Sequence, residues 1–237
     1  MKEFIYETHL HTCEGSACGV TCGADYIKPY KDAGYSGIFV TDHFFGGNCA
    51  VDRSLNWEQK IEAYCKGYEN ALAACGDDPD FKVFFGIEQT FQGDDYLIYG
   101  LDKEWLLAHP EVETMNHQEL FAAVNSVGGL MIQAHPFRLR GYQAAMHLHP
   151  RDVHGVEVYN GGNKADENEL AELYAQKYNF PVTSGSDMHN VQNVINREQL
   201  EMPIGGMIFD KPLESVWDYV ERVKAKEGKA KGKEIKN

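Results

Sequence analysis

The run His9-Leu10-His11 constrains the fold most, because it closes an apolar segment and four later apolar segments also end in metal-ligand residues. Those later ends carry Asp42-His43, Glu88, His135, and Asp187 with His189. Residues two apart in a β-strand point to the same side. His9 and His11 can therefore aim at one ion while Leu10 faces the wall. A doubly wound sheet offers a single crevice at its switch point, whereas a barrel brings every strand end to one mouth. Five ligand-bearing ends therefore predict an α/β barrel with metal at the C-terminal ends of its strands.

Alternating segments agree with a parallel α/β pattern. Strands are expected at Phe4–His9, Gly37–His43, Lys82–Thr90, Tyr96–Leu101, Leu130–Ala134, Gly155–Tyr159, Val182–Gly185 and Gly205–Phe209. Helical patterns fall between most of them, at Ala24–Ala33, Trp57–Ala74, His117–Val127, Ala165–Tyr178 and Leu213–Lys226. The short turn after Thr90 marks a local hairpin insertion. No linker rich in Pro, Gly or Ser divides the 237 residues, a length typical of one barrel. One domain over residues 1–223 is expected, followed by a basic, disordered tail over 224–237 with six Lys against two Glu.

Composition excludes several classes. No apolar run reaches membrane-span length, and the N-terminus enters a strand without a secretory core, so a cytoplasmic protein without membrane contact is expected. The net charge of −14 opposes a polyphosphate backbone and counts against nucleic-acid partners. Six Cys lie in the first third and read as reduced thiols; Cys13, Cys18 and Cys22 match no zinc-ribbon or iron–sulfur spacing.

Each ligand has a bland alternative when taken alone. An His-x-His pair can be structural, and a carboxylate after an apolar run can pair with an arginine. Asp42 could orient an imidazole or cap a turn. His147-Leu148-His149 mimics the opening motif but lacks an apolar strand before it, so it is not expected to ligate. His109, His117 and His154 read as solvated or structural. Joint occurrence carries the argument.

The ordered set His9-Leu10-His11-Thr12, Thr41-Asp42-His43, Gly86-Ile87-Glu88, Ala134-His135-Pro136 and Gly185-Ser186-Asp187-Met188-His189 resembles the PHP (polymerase and histidinol phosphatase) family. Gly155-Val156-Glu157-Val158-Tyr159-Asn160 is similar to a further segment of that family, and the likeness spans residues 4 to 210. It implies a distorted (β/α)7 TIM-like barrel holding two or three divalent ions. His9, His11, Glu88 and Asp187 would hold the first ion. His43, His189 and a first-loop residue, for which Glu14 stands nearest, would hold the second. Glu88, His135 and Asp95 would hold the third; Asp95 stands where several members place a His.

The implied activity is hydrolysis of a phosphate ester of a small phosphorylated metabolite by a metal-activated hydroxide, with Glu88, His135, Asp187 and His189 as the catalytic set. Mixed imidazole and carboxylate ligation suits zinc, manganese or iron. Arg138 and Arg140, after the His135 strand end, could grip phosphate oxygens with their planar forks, and Asn160 could touch substrate. Two alternatives stand beside this reading: a PHP module acting on nucleic acid as a nuclease or polymerase-associated domain, and a metal-dependent hydrolase of non-phosphate esters or amides.

Overall fold

The computed structural model describes residues 2–141, 143, 145–199 and 204–232. Its first half runs β1 (Phe4–Glu7), α1 (Ile27–Asp32), β2 (Gly37–Val40), α2 (Trp57–Tyr64), α3 (Lys66–Cys75), β3 (Lys82–Phe85), β4 (Ile87–Phe91) and β5 (Asp94–Tyr99). The second half runs α4 (Lys103–Ala108), α5 (His117–Ser126), β6 (Leu130–Gln133), β7 (Gly155–Asn160), α6 (Ala165–Tyr178), β8 (Val182–Gly185), α7 (Gln192–Ile195), β9 (Gly206–Phe209), α8 (Val216–Lys224) and β10 (Lys229–Lys231).

These strands form a mixed α/β fold of two five-stranded sheets, ordered β10-β9-β1-β2-β3 and β4-β5-β6-β7-β8. The closed (β/α)7 barrel expected from the sequence is therefore replaced by two sheets. The reason is visible at both seams. At Gly86 the expected Lys82–Thr90 strand breaks and crosses from the first sheet into the second. A side chain there would press on Thr41, 2.9 Å from where its Cβ would sit. Between β8 and β9, serine hydroxyls replace a backbone ladder. Gly205 N–H donates to Ser186 Oγ at 2.8 Å and Gly206 N–H to Ser184 Oγ at 3.1 Å.

Single bridges still join the sheets where the ligands lie. Leu10 pairs with Met188 in parallel, and His43 pairs with Glu88. The two alternating triplets thus run side by side, with His11 N–H donating to the Met188 carbonyl at 2.8 Å and Met188 N–H to that of His9 at 3.1 Å. Leu10 and Met188 point together into the apolar core, as the alternation predicted.

Buried tyrosines brace this end of the molecule. Tyr26 OH donates to the His11 carbonyl at 2.9 Å, Tyr64 OH to the Asp42 carbonyl at 2.5 Å, and Tyr99 OH to the Thr8 carbonyl at 2.7 Å. The expected Trp57–Ala74 helix divides at Cys65 into α2 and α3. The division seats Gly67 against the first loop, where any Cβ would fall 2.0 Å from Thr12 Oγ1. Helix α4, capped by Asp102 accepting from Trp105 N–H at 2.8 Å, was not anticipated.

Residues 224–232, expected to open a disordered tail, instead finish α8 and add β10 antiparallel to β9. Residues 233–237 of that expectation lie outside the described residues. Among the described residues, no helix is long and apolar enough to cross a membrane.

Candidate metal centre

Glu88 sits at the middle of the converging strand ends and is fully buried. Its Oε1 lies 3.0 Å from His9 Nε2 and 3.3 Å from His135 Nε2. Its Oε2 lies 3.2 Å from His11 Nε2 and 2.8 Å from His43 Nδ1. Asp187 Oδ1 adds a second carboxylate, 3.1 Å from His11 Nε2, 3.5 Å from His9 Nε2 and 3.6 Å from His189 Nδ1. The structure therefore brings His9, His11, His43, Glu88, His135, Asp187 and His189 together.

His9 Nε2, His11 Nε2, His43 Nδ1 and Glu88 Oε2 are buried and aligned for no hydrogen bond. Burying polar atoms without partners is costly. The arrangement fits divalent cations, which would satisfy all four. The combinations His9–Glu88–His135, His9–His11–Asp187 and His11–His43–His189 each have ligand atoms close enough to share an ion.

The rings are aimed by groups behind them. Ser16 Oγ donates to Asp42 Oδ1 at 2.7 Å, so it is left to accept from His11 Nδ1 at 3.0 Å and from His43 N–H at 2.9 Å. That tautomer turns the lone pair of His11 Nε2 toward Glu88 and Asp187. Asp42 also accepts from Thr12 N–H and Oγ, so it shapes the first loop and orients an imidazole through Ser16. Glu157 does the same for His9, with Oε1 3.1 Å from Nδ1. Its Oε2 accepts from His135 N–H at 3.1 Å and from Asn160 Nδ2 at 2.8 Å. His135 and Asp187 reach inward with positive φ of 28° and 55°. That left-handed backbone costs about 1–2 kcal/mol per non-glycine residue, a strain common at functional sites.

Charges reinforce one another here. Burial pushes the Glu88 carboxyl up, but the His9, His43 and His11 imidazoles outweigh it and hold it well below the usual range. Asp187 is likewise lowered against its burial, by His9, Arg138 and His11. Burial favours neutral His9, yet the Glu88, Glu157 and Asp187 carboxylates raise it well above its ordinary value.

Asp95 reaches the edge of the cluster, with Oδ2 3.8 Å from His135 Nε2 while Oδ1 accepts from Thr90 Oγ1 at 2.5 Å. Arg138 lies at the rim; its guanidinium bonds Asp187 and Asn160, and its Nε donates to Asn163 Oδ1 at 2.7 Å. Asn160 is thereby tied between Arg138 and Glu157. Arg140 is not brought to the centre, because its nitrogens turn to the Leu139 and Gly162 carbonyls and to Glu167.

Glu14 also stays out. Its carboxylate accepts from Gly23 N–H at 3.1 Å and from Asn70 Nδ2 at 2.8 Å, fastening the first loop to α3. Cys18, also in the first loop, lies at the cluster instead, with Sγ 3.1 Å from His189 Nε2. Burial pushes its thiol up, but hydrogen bonds with His189 and His43 outweigh burial and bring it down to about 5. The sequence signal for Cys18 was its position in a loop following the His pair; tested only against zinc-ribbon and iron–sulfur spacings, it read as a reduced thiol.

Known proteins share this fold. A family model described as PHP-associated (PHP_C) matches residues 165–194, which cover α6, β8, Asp187 and His189. No curated protein matches the chain in sequence. Among solved structures, a two-domain protein from Bacteroides vulgatus containing a PHP-like metal-dependent phosphoesterase superposes with a TM-score of 0.66 at 16% identity. The match covers 97% of this chain but only 64% of the Bacteroides chain. A structure from Bifidobacterium adolescentis, described as a metal-dependent phosphoesterase, gives a TM-score of 0.56 at 14% identity over 78% of this chain and 87% of its own. Endonuclease Q, in complex with a 27-mer duplex bearing an abasic lesion, gives 0.55 at 10% identity over 94% of this chain and 57% of its own. The fold of this chain is that of these PHP-like structures.

Proposed function

We propose that this chain is a PHP-domain protein and a metal-dependent hydrolase of phosphate esters, acting on a small phosphorylated metabolite. The observation that carries the proposal is the fully buried Glu88 carboxylate among imidazole nitrogens with no hydrogen-bond partner. Such a set fits two or three divalent cations. His9, His11, Glu88 and Asp187 would hold one, and His43 and His189 with Cys18 a second. Glu88 and His135 with Asp95 would hold a third.

When bound, such ions acidify water and neutralise charge on phosphoryl oxygens. The chain's own residues prepare the site for that chemistry. Glu157 and Ser16 engage Nδ1 of His9 and His11, so Nε2 of each ring is turned inward and would be free to bind a metal once deprotonated. His189 Nδ1 donates to the Asp187 carbonyl at 2.8 Å, which leaves Nε2 facing inward beside Cys18. Arg138 sets a guanidinium beside Asp187, where it can hold the oxygens of an anionic substrate against the centre.

Turnover of an aryl phosphate, compared with an aryl acetate, tests the reading. The phosphate is expected to be hydrolysed, with loss on chelation and return on adding zinc, manganese or iron(II). Full turnover by thoroughly stripped protein would sink the proposal, and preference for the acetate would move it to another ester class. A nucleic-acid substrate has one support, the likeness to Endonuclease Q. The net charge of −14 opposes it. A salt-sensitive gel shift with single-stranded or abasic DNA would favour that second reading.

A further inference from the structure

Away from the Glu88 cluster, His117 is 8% exposed, and neither of its ring nitrogens has a hydrogen-bond partner among the described residues. It is the first residue of α5, and its ring packs between Tyr96 and His149. A buried imidazole normally satisfies at least one nitrogen, so two unpartnered nitrogens call for an occupant.

Two further ligand groups meet it. His149 and Asp152 lie on one turn, closed by Asp152 N–H donating to the His149 carbonyl at 3.1 Å. Their side-chain ligand atoms and one of His117 all lie within 4.8 Å of one another. The His117–His149 rings stand 4.1 Å apart at 29°. That nearly repeats the His11–His43 pair of the main cluster, at 4.4 Å and 29°.

We propose that His117, His149 and Asp152 form a separate site for a zinc-class divalent ion. Two imidazoles and one carboxylate are a common three-ligand set for zinc, with water able to take a fourth position. The site has a structural task to perform. The segment from 134 to 154 joins β6 to β7, and its described residues form no helix or strand. Loops of that length without structure of their own are uncommon unless something holds them. This one begins with His135 and Arg138, both part of the candidate centre. Its far end is held by His147, which pairs with Asp94 at 2.5 Å and whose carbonyl accepts from Gln133 Nε2 at 2.6 Å. An ion at His149 and Asp152 would staple that end to α5.

The test is zinc titration of the metal-stripped full chain, with bound zinc counted by elemental analysis and loop protection followed by hydrogen exchange. His149→Gln and Asp152→Asn change part-exposed residues and leave the buried ring in place. Wild type is expected to take up one zinc more per chain than either variant. It should also gain zinc-dependent protection over residues 145–154 that the variants lack. Equal stoichiometry, or equal protection, in wild type and both variants would overturn the site. Loss of all bound zinc in the variants would assign these side chains to the Glu88 centre and overturn it as well. Neither readout depends on what the main centre hydrolyses.

Discussion

Glu157 lies directly behind His9, its Oε1 3.1 Å from the imidazole Nδ1 and both side chains fully buried. The carboxylate holds the Nδ1 proton, so Nε2 is the ring atom turned toward Glu88 and Asp187. The same Glu157 accepts from the backbone of His135 and so couples two strand ends through one residue.

Glu157→Gln should therefore weaken metal binding at the centre by about 10–100-fold, the usual effect of losing a carboxylate behind a histidine ligand. Competition against a chromophoric chelator measures this directly. Unchanged affinity would show that His9 needs no such support.

Ion binding should also appear as stability. An ion that binds only the native chain, present at about 100 times its dissociation constant, stabilises by about 2.7 kcal/mol. Denaturant melts with and without chelator should show that gap in wild type. Glu88→Gln, which removes the central anion, should abolish most of it. The same variant should lower kcat/KM on an aryl phosphate by about a thousandfold, about 4 kcal/mol. A variant that kept both the gap and the turnover would exclude Glu88 as the shared ligand.

Much of this centre was legible because strand alternation and ligand chemistry are both local. His9 and His11 had to share a side, and Leu10 had to face the core. Nearly all the expected strands formed within a few residues of their predicted bounds. Sheet closure was not legible, because it depends on contacts between distant segments. The Ser184 and Ser186 hydroxyls that take the Gly206 and Gly205 N–H groups reveal nothing of that role in sequence. The surroundings of Glu14 were hidden for a similar reason: Asn70, which donates to its carboxylate, lies on a later helix. The meeting of His117 and His149 was not legible either, because it depends on the path of a long loop.

Glu167 offers a test of how the loop after His135 is held. Its carboxylate accepts from Lys164 N–H at 2.9 Å, at the start of α6, and from Leu139 N–H at 3.1 Å. Burial pushes the group up, but the Lys164 and Leu139 N–H groups, with Arg140 and Arg138, outweigh burial and lower it below its ordinary 4.5. A carboxylate lowered in the folded state contributes stability that is complete above 4.5 and lost as pH falls through the folded value. Glu167→Gln should cost about 1 kcal/mol at neutral pH, the usual scale for a lost cap. It should also flatten the acid limb of the stability curve. Denaturant melts across that range decide it, and parallel curves for wild type and variant would refute the assignment.

Cys18 gives the most direct spectroscopic test of the centre. Its Sγ lies 3.1 Å from His189 Nε2 in the first loop, where the sequence had pointed to Glu14. Thiolate is a softer ligand than carboxylate and shifts preference toward zinc or iron over manganese. Cobalt-substituted protein should therefore show a thiolate-to-metal charge-transfer band in the near ultraviolet. Cys18→Ser should remove that band and weaken one bound ion by about tenfold, while Glu14→Gln should leave both unchanged. A cobalt spectrum without the band in wild type would remove Cys18 from the ligand set, and a loss caused by Glu14→Gln would restore the original expectation.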